Sequence, residues 1–412
     1  MADTPLDRTA GTRRIQARAG TNLGGASAHN RRVVFEALRV NGALSRAELA
    51  RATQLTAQTV SNIIEEFERD GLAVPEQPIR GARGQPATPY RILPGGAYAI
   101  GVQLDRHQIL GIAVDLTGKP LVRRLHHLPA GGPKTGMTVL LQLIEDLRKE
   151  LARVDPKSPE KLLGLGVAMP GPFNVRSNET DPWVMREWEG FPLTDVLEQA
   201  TGLAARLQND ATAAAISEKT YGVATGLDNF VYLFVGYGLG AGLIVNGEVY
   251  VGAVANAGEI GQVPTPFPPD GHAAPEALEH YVSLLSLCRA LELDARDADL
   301  FPELERRLEA GDDRLTKWVK CASQQLRYAI QILESLFDPE TVVLGGQLPQ
   351  PLMERLVRLV EPLLPSVADQ VSRSLPRLTF GSADLWTVAL GAAIQPIHRT
   401  FDPQFRAILK SR

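Results

Sequence analysis

Two neighbouring polar residues, Asn209-Asp210, stand where a change of chain direction would present them to a ligand. They follow a strand-like run at residues 205–208 and precede a small-residue helical stretch at 211–218, so both side chains project from a strand-to-helix turn. A carboxylate at such a rim can accept a hydrogen bond from a ligand hydroxyl, or take its proton as a general base. The same residues could equally serve as the helix N-cap, and the local sequence leaves both roles open. A second group, Gln58, Thr59, Ser61 and Asn62, gathers at the start of a predicted helix. Amides of this kind bond bidentately to adenine, and hydroxyls meet bases or phosphates. The run Gly238-Leu239-Gly240-Ala241-Gly242 is a third candidate, since glycine turns let phosphate approach backbone N–H groups, but one such turn alone does not establish a nucleotide.

The elements that must carry the second group come first in the chain. Val33, Val34, Ala37, Leu38 and Val40 recur at helical spacing over residues 29–41, and Asn41-Gly42 ends the run. Ser45-Arg46-Ala47-Glu48 is a capping box that opens a short helix stopping near Thr53-Gln54. Thr56 can cap a longer helix whose buried stripe is Val60, Ile63, Ile64 and Phe67 and which closes at Asp70-Gly71. This is the helix-turn-helix layout, whose last helix enters a major groove by its N-terminal end. Strands at residues 72–74 and 90–93 flank Arg80-Gly81-Ala82-Arg83-Gly84-Gln85-Pro86, a wing able to reach a narrow minor groove. Ser45, Arg46, Gln58, Thr59, Ser61, Asn62, Arg80, Arg83 and Gln85 are therefore the candidate contacts to double-stranded DNA. The winged domain is assigned to residues 29–93, and residues 1–28, which mix Arg, Gly, Ser and Thr without periodicity, read as a mobile arm.

Charge divides to match. Residues 1–93 carry 13 Arg, no Lys and 9 acids, a balance of +4, whereas the rest carries 30 basic and 38 acidic residues, a balance of −8. A basic head on an acidic body suits a protein that meets a polyanion at one end. At 412 residues the chain is long enough for two or three domains. No stretch approaches the ~18 apolar residues of a membrane span. The two cysteines, Cys288 and Cys321, cannot form a disulfide framework or a cysteine-rich metal site, and a reducing cytoplasm is the expected compartment.

Beyond Pro94 the pattern turns to α/β. Strand-like runs at 98–104, 109–115 and 121–125 are separated by turn residues, then come a helix at 138–154, a strand at 162–168 and the sharp loop Pro170-Gly171-Pro172. Three strands, helix, strand, helix is the order of a ribonuclease H-like unit, and a second unit begins at Phe230. Residues 281–337 are helical in spacing, and residues 390–401 suggest a helix that closes back on the first lobe.

With the head, the motifs Ala168-Met169-Pro170-Gly171-Pro172, Trp188-Glu189-Gly190-Phe191-Pro192-Leu193, Gln208-Asn209-Asp210-Ala211, Gly238-Leu239-Gly240-Ala241-Gly242, Ala257-Gly258-Glu259-Ile260-Gly261 and Val343-Leu344-Gly345-Gly346 resemble the ROK family of repressors, open reading frames and kinases, in that family's order and spacing. The resemblance implies an actin-like, two-lobed sugar-kinase fold, with one lobe at residues 94–210 closed by a helix at 388–406 and the other at 211–387. It also implies a cleft that binds a sugar through Asn209, Asp210, Glu259, Gln262 and Glu279.

Two departures from the family pattern shape the expected function. Active kinases of the family carry an Asp-x-Gly-Gly-Thr-type hairpin after the first strand, and here that place reads Gln103-Leu104-Asp105-Arg106-His107. Bulky residues replace the glycines that let backbone approach phosphate, so ATP-dependent phosphoryl transfer is not expected. Relatives also hold a structural zinc by a His and a Cys-x-Cys-Gly-x-x-Gly-Cys run. The corresponding places here are Gln262, Asp270, His272 and Ala277, around a shortened proline-rich loop at 264–269, and they lack thiolates. No metal or cofactor is therefore expected, and packing must hold the loop. The expected protein is a sugar-responsive DNA-binding regulator, a repressor of carbohydrate uptake or catabolism genes. It would act as a dimer or tetramer on operator DNA, with an active sugar kinase bearing a DNA-binding head as the alternative.

Overall fold

The computed structural model describes residues 23–78, 87–128, 132–173, 185–267, 276–297 and 299–401. The head comprises α1 (Leu23–Asn41), β1 (Leu44–Ser45), α2 (Arg46–Thr53), α3 (Ala57–Arg69), β2 (Ala73–Pro75) and β3 (Pro89–Ile92), with the strands in the antiparallel order β1-β3-β2. The capping box forms as its residue types require: Ser45 Oγ accepts from the Glu48 N–H at 3.3 Å, and Glu48 Oε2 accepts from the Ser45 N–H at 2.8 Å. Thr56 Oγ1 accepts from the Thr59 N–H and starts α3, which buries Val60, Ile63, Ile64 and Phe67. Three details differ from the sequence reading. α1 begins at Leu23, inside the stretch assigned to a mobile arm. It buries Val34, Phe35 and Leu38 and leaves Val40 58% exposed. The two-residue strand β1 has too few residues to show any alternation.

The body repeats one topology twice. Its first sheet contains β4 (Tyr98–Leu104), β5 (Gln108–Asp115), β6 (Pro120–His127), β7 (Leu162–Met169) and β8 (Ala205–Asn209) in the order β6-β5-β4-β7-β8. The first three strands form an antiparallel meander, and β4, β7 and β8 run parallel. α4 (Gly132–Val154) and α5 (Leu193–Thr201) lie between these strands in the chain. After α6 (Asp210–Tyr221), the second sheet contains β9 (Phe230–Val235), β10 (Leu239–Val245), β11 (Glu248–Val249), β12 (Thr341–Gly346) and β13 (Leu378–Phe380) in the equivalent order β11-β10-β9-β12-β13. Helices α7 (Leu284–Leu291), α8 (Leu300–Glu309), α9 (Asp313–Phe337) and α10 (Gln350–Val360) complete this lobe, and α11 (Thr387–Phe401) ends the described chain.

Two helices sit between the sheets. α6 packs on β9 and β10, α11 packs on β4 and β7, and the two helices pack on each other. Small residues permit this closeness: a Cβ at Gly101 would overlap the Ala389 carbonyl oxygen, one at Gly166 the Ala392 oxygen, and one at Gly391 the Ala213 oxygen. α6 accordingly is buried nearly all round and has no polar face.

The head is joined to the first lobe by an uninterrupted apolar core that runs from Val34, Phe35 and Phe67 to Ile112, Val114, Ile397 and Phe401. Phe35 of α1 stacks on Phe401 of α11 with centroids 4.2 Å apart, and Arg32 Nε donates to the Thr400 carbonyl at 3.2 Å. The linker is tied on both sides, through Leu93 N–H to the Leu72 carbonyl (2.8 Å) and Leu116 N–H to the Pro94 carbonyl (3.0 Å).

Candidate functional site

The Asn209-Asp210 turn lies where β8 hands over to α6. Asn209 is the N-cap, its Oδ1 accepting from the Ala211 and Thr212 N–H groups at 2.8 and 3.2 Å. Capping therefore takes the Asn209 oxygen, while its Nδ2 faces the Pro170-Gly171-Pro172 loop, close beside Gly171. Asp210 Oδ1 accepts from the Ala211 N–H at 2.8 Å, which fixes the carboxylate at the helix start. Glu259 comes from the second lobe and also packs against Gly171. Its loop is possible only with glycine at 258, where φ is +93° and a Cβ would overlap the Ala241 carbonyl oxygen. Glu279 stands beside Gly238 and accepts from Gln262 Nε2 at 2.7 Å.

Crowding of these acids sets their electrostatics. Burial pushes Asp210 up to about 6, the negative charge of Asp105 pushes the same way, and the Ala211 N–H and Arg106 oppose them. Burial, then Asp210 and Glu279, push Glu259 up to about 7. Buried carboxyl groups with oxygens to spare can pair with ligand hydroxyls. Among the described residues no group of three or more His, Cys, Asp or Glu is arranged to hold a metal ion. Asp270 and His272 lie outside the described residues, and Gln262 is engaged with Glu279. Side-chain packing, with Phe267 edge-on to Tyr328 at 5.7 Å, and hydrogen bonds both hold the described part of the shortened loop. Thr265 N–H donates to the Glu276 carbonyl at 2.9 Å, Leu278 N–H to the Val263 carbonyl at 3.0 Å, and Gln325 Nε2 of α9 to the Phe267 carbonyl at 2.7 Å.

The β4–β5 turn, where the phosphate hairpin of a kinase would be, is filled. Asp105 is 2% exposed, and its carboxylate accepts from the Arg106 N–H at 2.7 Å and from Gln103 Nε2 at 3.3 Å. The Arg106 guanidinium lies 5.9 Å from the centre of the Tyr237 ring, and His107 meets the same ring edge-on. Below them Gln347 Nε2 donates to Gln103 Oε1 at 2.9 Å, a buried clasp between the lobes. The glycine run 238–242 has a structural duty. Gly240 and Gly242 belong to β10, and a Cβ on Gly242 would overlap the Ala211 carbonyl oxygen of α6.

In the head, Gln58 and Asn62 are exposed and joined by a 2.8 Å hydrogen bond, while Thr59 and Ser61 flank them, half-buried. Ser45 and Arg46 are engaged within the head. Ser45 is buried with its hydroxyl and N–H committed to the cap, and the Arg46 guanidinium turns onto Tyr90 (5.2 Å), Glu68 (3.7 Å) and Glu65 (3.9 Å). Arg80, Arg83 and Gln85 lie outside the described residues. Exposed Arg51, in the last turn of α2, was not singled out by sequence pattern, since one arginine on a short helix carries no periodic signal. Glu65, Glu66, Glu68 and Asp70 make the far half of α3 acidic, and Arg31 bridges Glu66 at 2.9 Å and Asp70 at 2.6 Å. The neutral N-terminal half of α3 is therefore the half that repels a polyanion least.

These features agree with comparisons to known proteins. Residues 29–73 match the winged helix-turn-helix DNA-binding family and residues 99–398 match the ROK family. The xylose repressor of Caldicellulosiruptor bescii is 26% identical over 77% of this chain and 83% of its own. The N-acetylglucosamine repressor of Escherichia coli O6:H1 is 24% identical over 77% and 80%. The crystal structure of a ROK family transcriptional regulator, a homologue of the E. coli MLC protein, superposes with a TM-score of 0.68 at 21% identity over 92% of this chain and 98% of that one, so fold is shared from head to closing helix. With paired sheets of one topology, an acid cluster between them and the family match spanning that whole body, the chain belongs to the ROK family.

Proposed function

We propose that this protein is a sugar-responsive DNA-binding transcriptional regulator, a repressor of carbohydrate uptake or catabolism genes. Its single strongest support is the pairing of two surfaces in one chain: a neutral, amide-bearing end of α3 and an acid-lined cleft whose Asp210 opens α6. Gln58, Thr59, Ser61 and Asn62 would read base edges, and Arg80, Arg83, Gln85 and Arg51 would supply backbone or minor-groove contacts. Asn209, Asp210, Glu259, Gln262 and Glu279 would receive the sugar. A sugar that prefers one width of the cleft would shift the lobes, and with them the spacing of two heads in a symmetric dimer on a palindromic operator. Phosphoryl transfer is not part of this reading, because the β4–β5 turn carries Asp105, Arg106 and His107 in place of the glycines that would let backbone approach phosphate.

The test is a salt-resolved titration of operator DNA with and without sugars, starting from xylose and N-acetylglucosamine. Affinity falling steeply with salt and weakening further with one sugar supports the reading. Indifference to every sugar, or sugar-dependent ATP consumption in a coupled assay, would refute it.

A further inference from the structure

The described places of the family's zinc ligands do not fit a metal: Gln262 spends its amide N–H on Glu279, and Ala277 offers no ligand atom. What stands there is a short ribbon. Pro264 and Ala277 form an antiparallel bridge, flanked by hydrogen bonds from the Thr265 N–H to the Glu276 carbonyl at 2.9 Å and from the Leu278 N–H to the Val263 carbonyl at 3.0 Å. Gln262 leads into one arm and Glu279 leaves the other, so the ribbon sets how their backbones face each other. Gln262 Nε2 then donates to Glu279 Oε1 at 2.7 Å, which leaves Oε2, beside Gly238, to meet a ligand hydroxyl.

One side chain of α9 fastens this ribbon from behind. Gln325 is 1% exposed, on a helix face that is otherwise mostly apolar. Its Oε1 accepts from the hydroxyl of Thr265, itself fully buried, and its Nε2 donates to the Phe267 carbonyl at 2.7 Å. The Phe267 N–H returns to Thr265 Oγ1 at 3.1 Å and closes the ring of bonds. Stability alone does not call for an amide here, since exchanging both partners of a buried hydrogen bond for apolar groups of the same shape is nearly neutral. What the amide adds is direction: its bonds weaken steeply off line, so they fix the arm's place more narrowly than apolar contact does. A binding constellation tolerates only about 0.5 Å of misplacement. We propose that Gln325, acting through Thr265, is a positioning residue of the sugar site, taking over the metal's task of holding the ribbon so that Glu279 and Gln262 present their polar atoms to the sugar. This rests on the sugar-site reading above. Buried behind the ribbon, Gln325 would meet no sugar itself, and its effect passes along the Thr265–Glu276 rung to Glu279.

The experiment is calorimetry on the full chain with xylose, glucose and N-acetylglucosamine, followed, for the sugar that binds, by Gln325→Leu, Thr265→Val, Glu279→Ala and the double variant Gln325→Leu/Glu279→Ala. Sugar-free operator affinity is measured beside each. Gln325→Leu is expected to weaken sugar binding roughly tenfold and Thr265→Val about threefold, with operator affinity kept within about twofold. The double variant should bind within about threefold of Glu279→Ala alone, because an effect carried by Glu279 vanishes with it. A chelator should leave the parent's sugar affinity unchanged. Parental sugar affinity in Gln325→Leu would overturn the positioning role and leave the sugar site standing. If that variant loses operator binding as well, Thr265→Val decides, and parental sugar affinity there overturns the role. Fully additive losses in the double variant would overturn it too, by assigning Gln325 to the lobe at large, as would sugar binding that a chelator abolishes and zinc restores. A parent that binds none of the sugars would overturn the sugar site and this inference together.

Discussion

The first lobe has two joints of different character. Towards the head it is dry: one apolar core crosses from α1 and α3 to β5 and α11, capped by the Phe35-Phe401 stack. Towards the second lobe it is mixed and small-sided: Ala168, Val388 and Ala392 share an apolar cluster with Phe230, Tyr232 and Phe234, α6 and α11 meet through glycine and alanine, and buried Gln103 and Gln347 exchange an amide hydrogen bond. A dry, interdigitated joint resists small displacements, whereas a polar clasp can exchange partners with water or ligand. The contrast teaches that head and first lobe travel together. Regulation would then change the distance between two such units and not the tilt of one head on its own body.

The largest expected effect removes what both joints share. Gly101→Val would drive a side chain into the α11 backbone at Ala389, costing more than ~3 kcal/mol. Urea unfolding or soluble yield reads it, and a variant of native stability would mean α11 is loosely held. Phe401→Ala tests the dry joint alone. A loss of about 3 kcal/mol is expected, with the head melting in a separate calorimetric transition. A single unshifted transition would break the contrast drawn between the joints. Asp210→Asn tests the polar side: operator affinity should stay within about threefold, while sugar binding weakens by about 2 kcal/mol and release from DNA disappears.

The smallest effect is one of pH. Glu259, pushed up to about 7, favours its neutral form in the folded state, so the stability it contributes is full below its ordinary value and is lost as pH rises through about 7. Glu259→Gln should therefore make the ligand-free protein about 1 kcal/mol more stable than the parent at pH 8, after allowance for partial solvent screening, and leave it unchanged near pH 4. Denaturant midpoints at the two pH values decide it, and a gain that persists at pH 4 would assign the effect to packing.

Much of this was legible from local pattern. The Ser45-Glu48 capping box, the α3 stripe, the β4-to-β6 meander and the Asn209-Asp210 turn depend on neighbours within a few residues, and each forms with the expected residues. What escaped was long-range. Phe35 was left out of the α1 stripe because its partner is Phe401 at the far end of the chain. Arg46 meets Glu65 and Glu68 across the turn, which no local pattern shows, whereas the capping box already commits Ser45 to Glu48. The glycines of β10 looked like a phosphate turn because glycine marks close approach without saying to what; here it is the backbone of α6.

That return of α11 has a consequence for synthesis on the ribosome. The sheet face bearing Gly101 and Gly166 is finished early, yet its cover is translated only after the entire second lobe. Until then the nascent chain shows an uncovered apolar surface next to a DNA-reading module that lacks its Phe401 support. Operator-competent heads should therefore be rare among incomplete chains, and a ribosome stalled before Thr387 would release a species prone to aggregate or to occupy a chaperone.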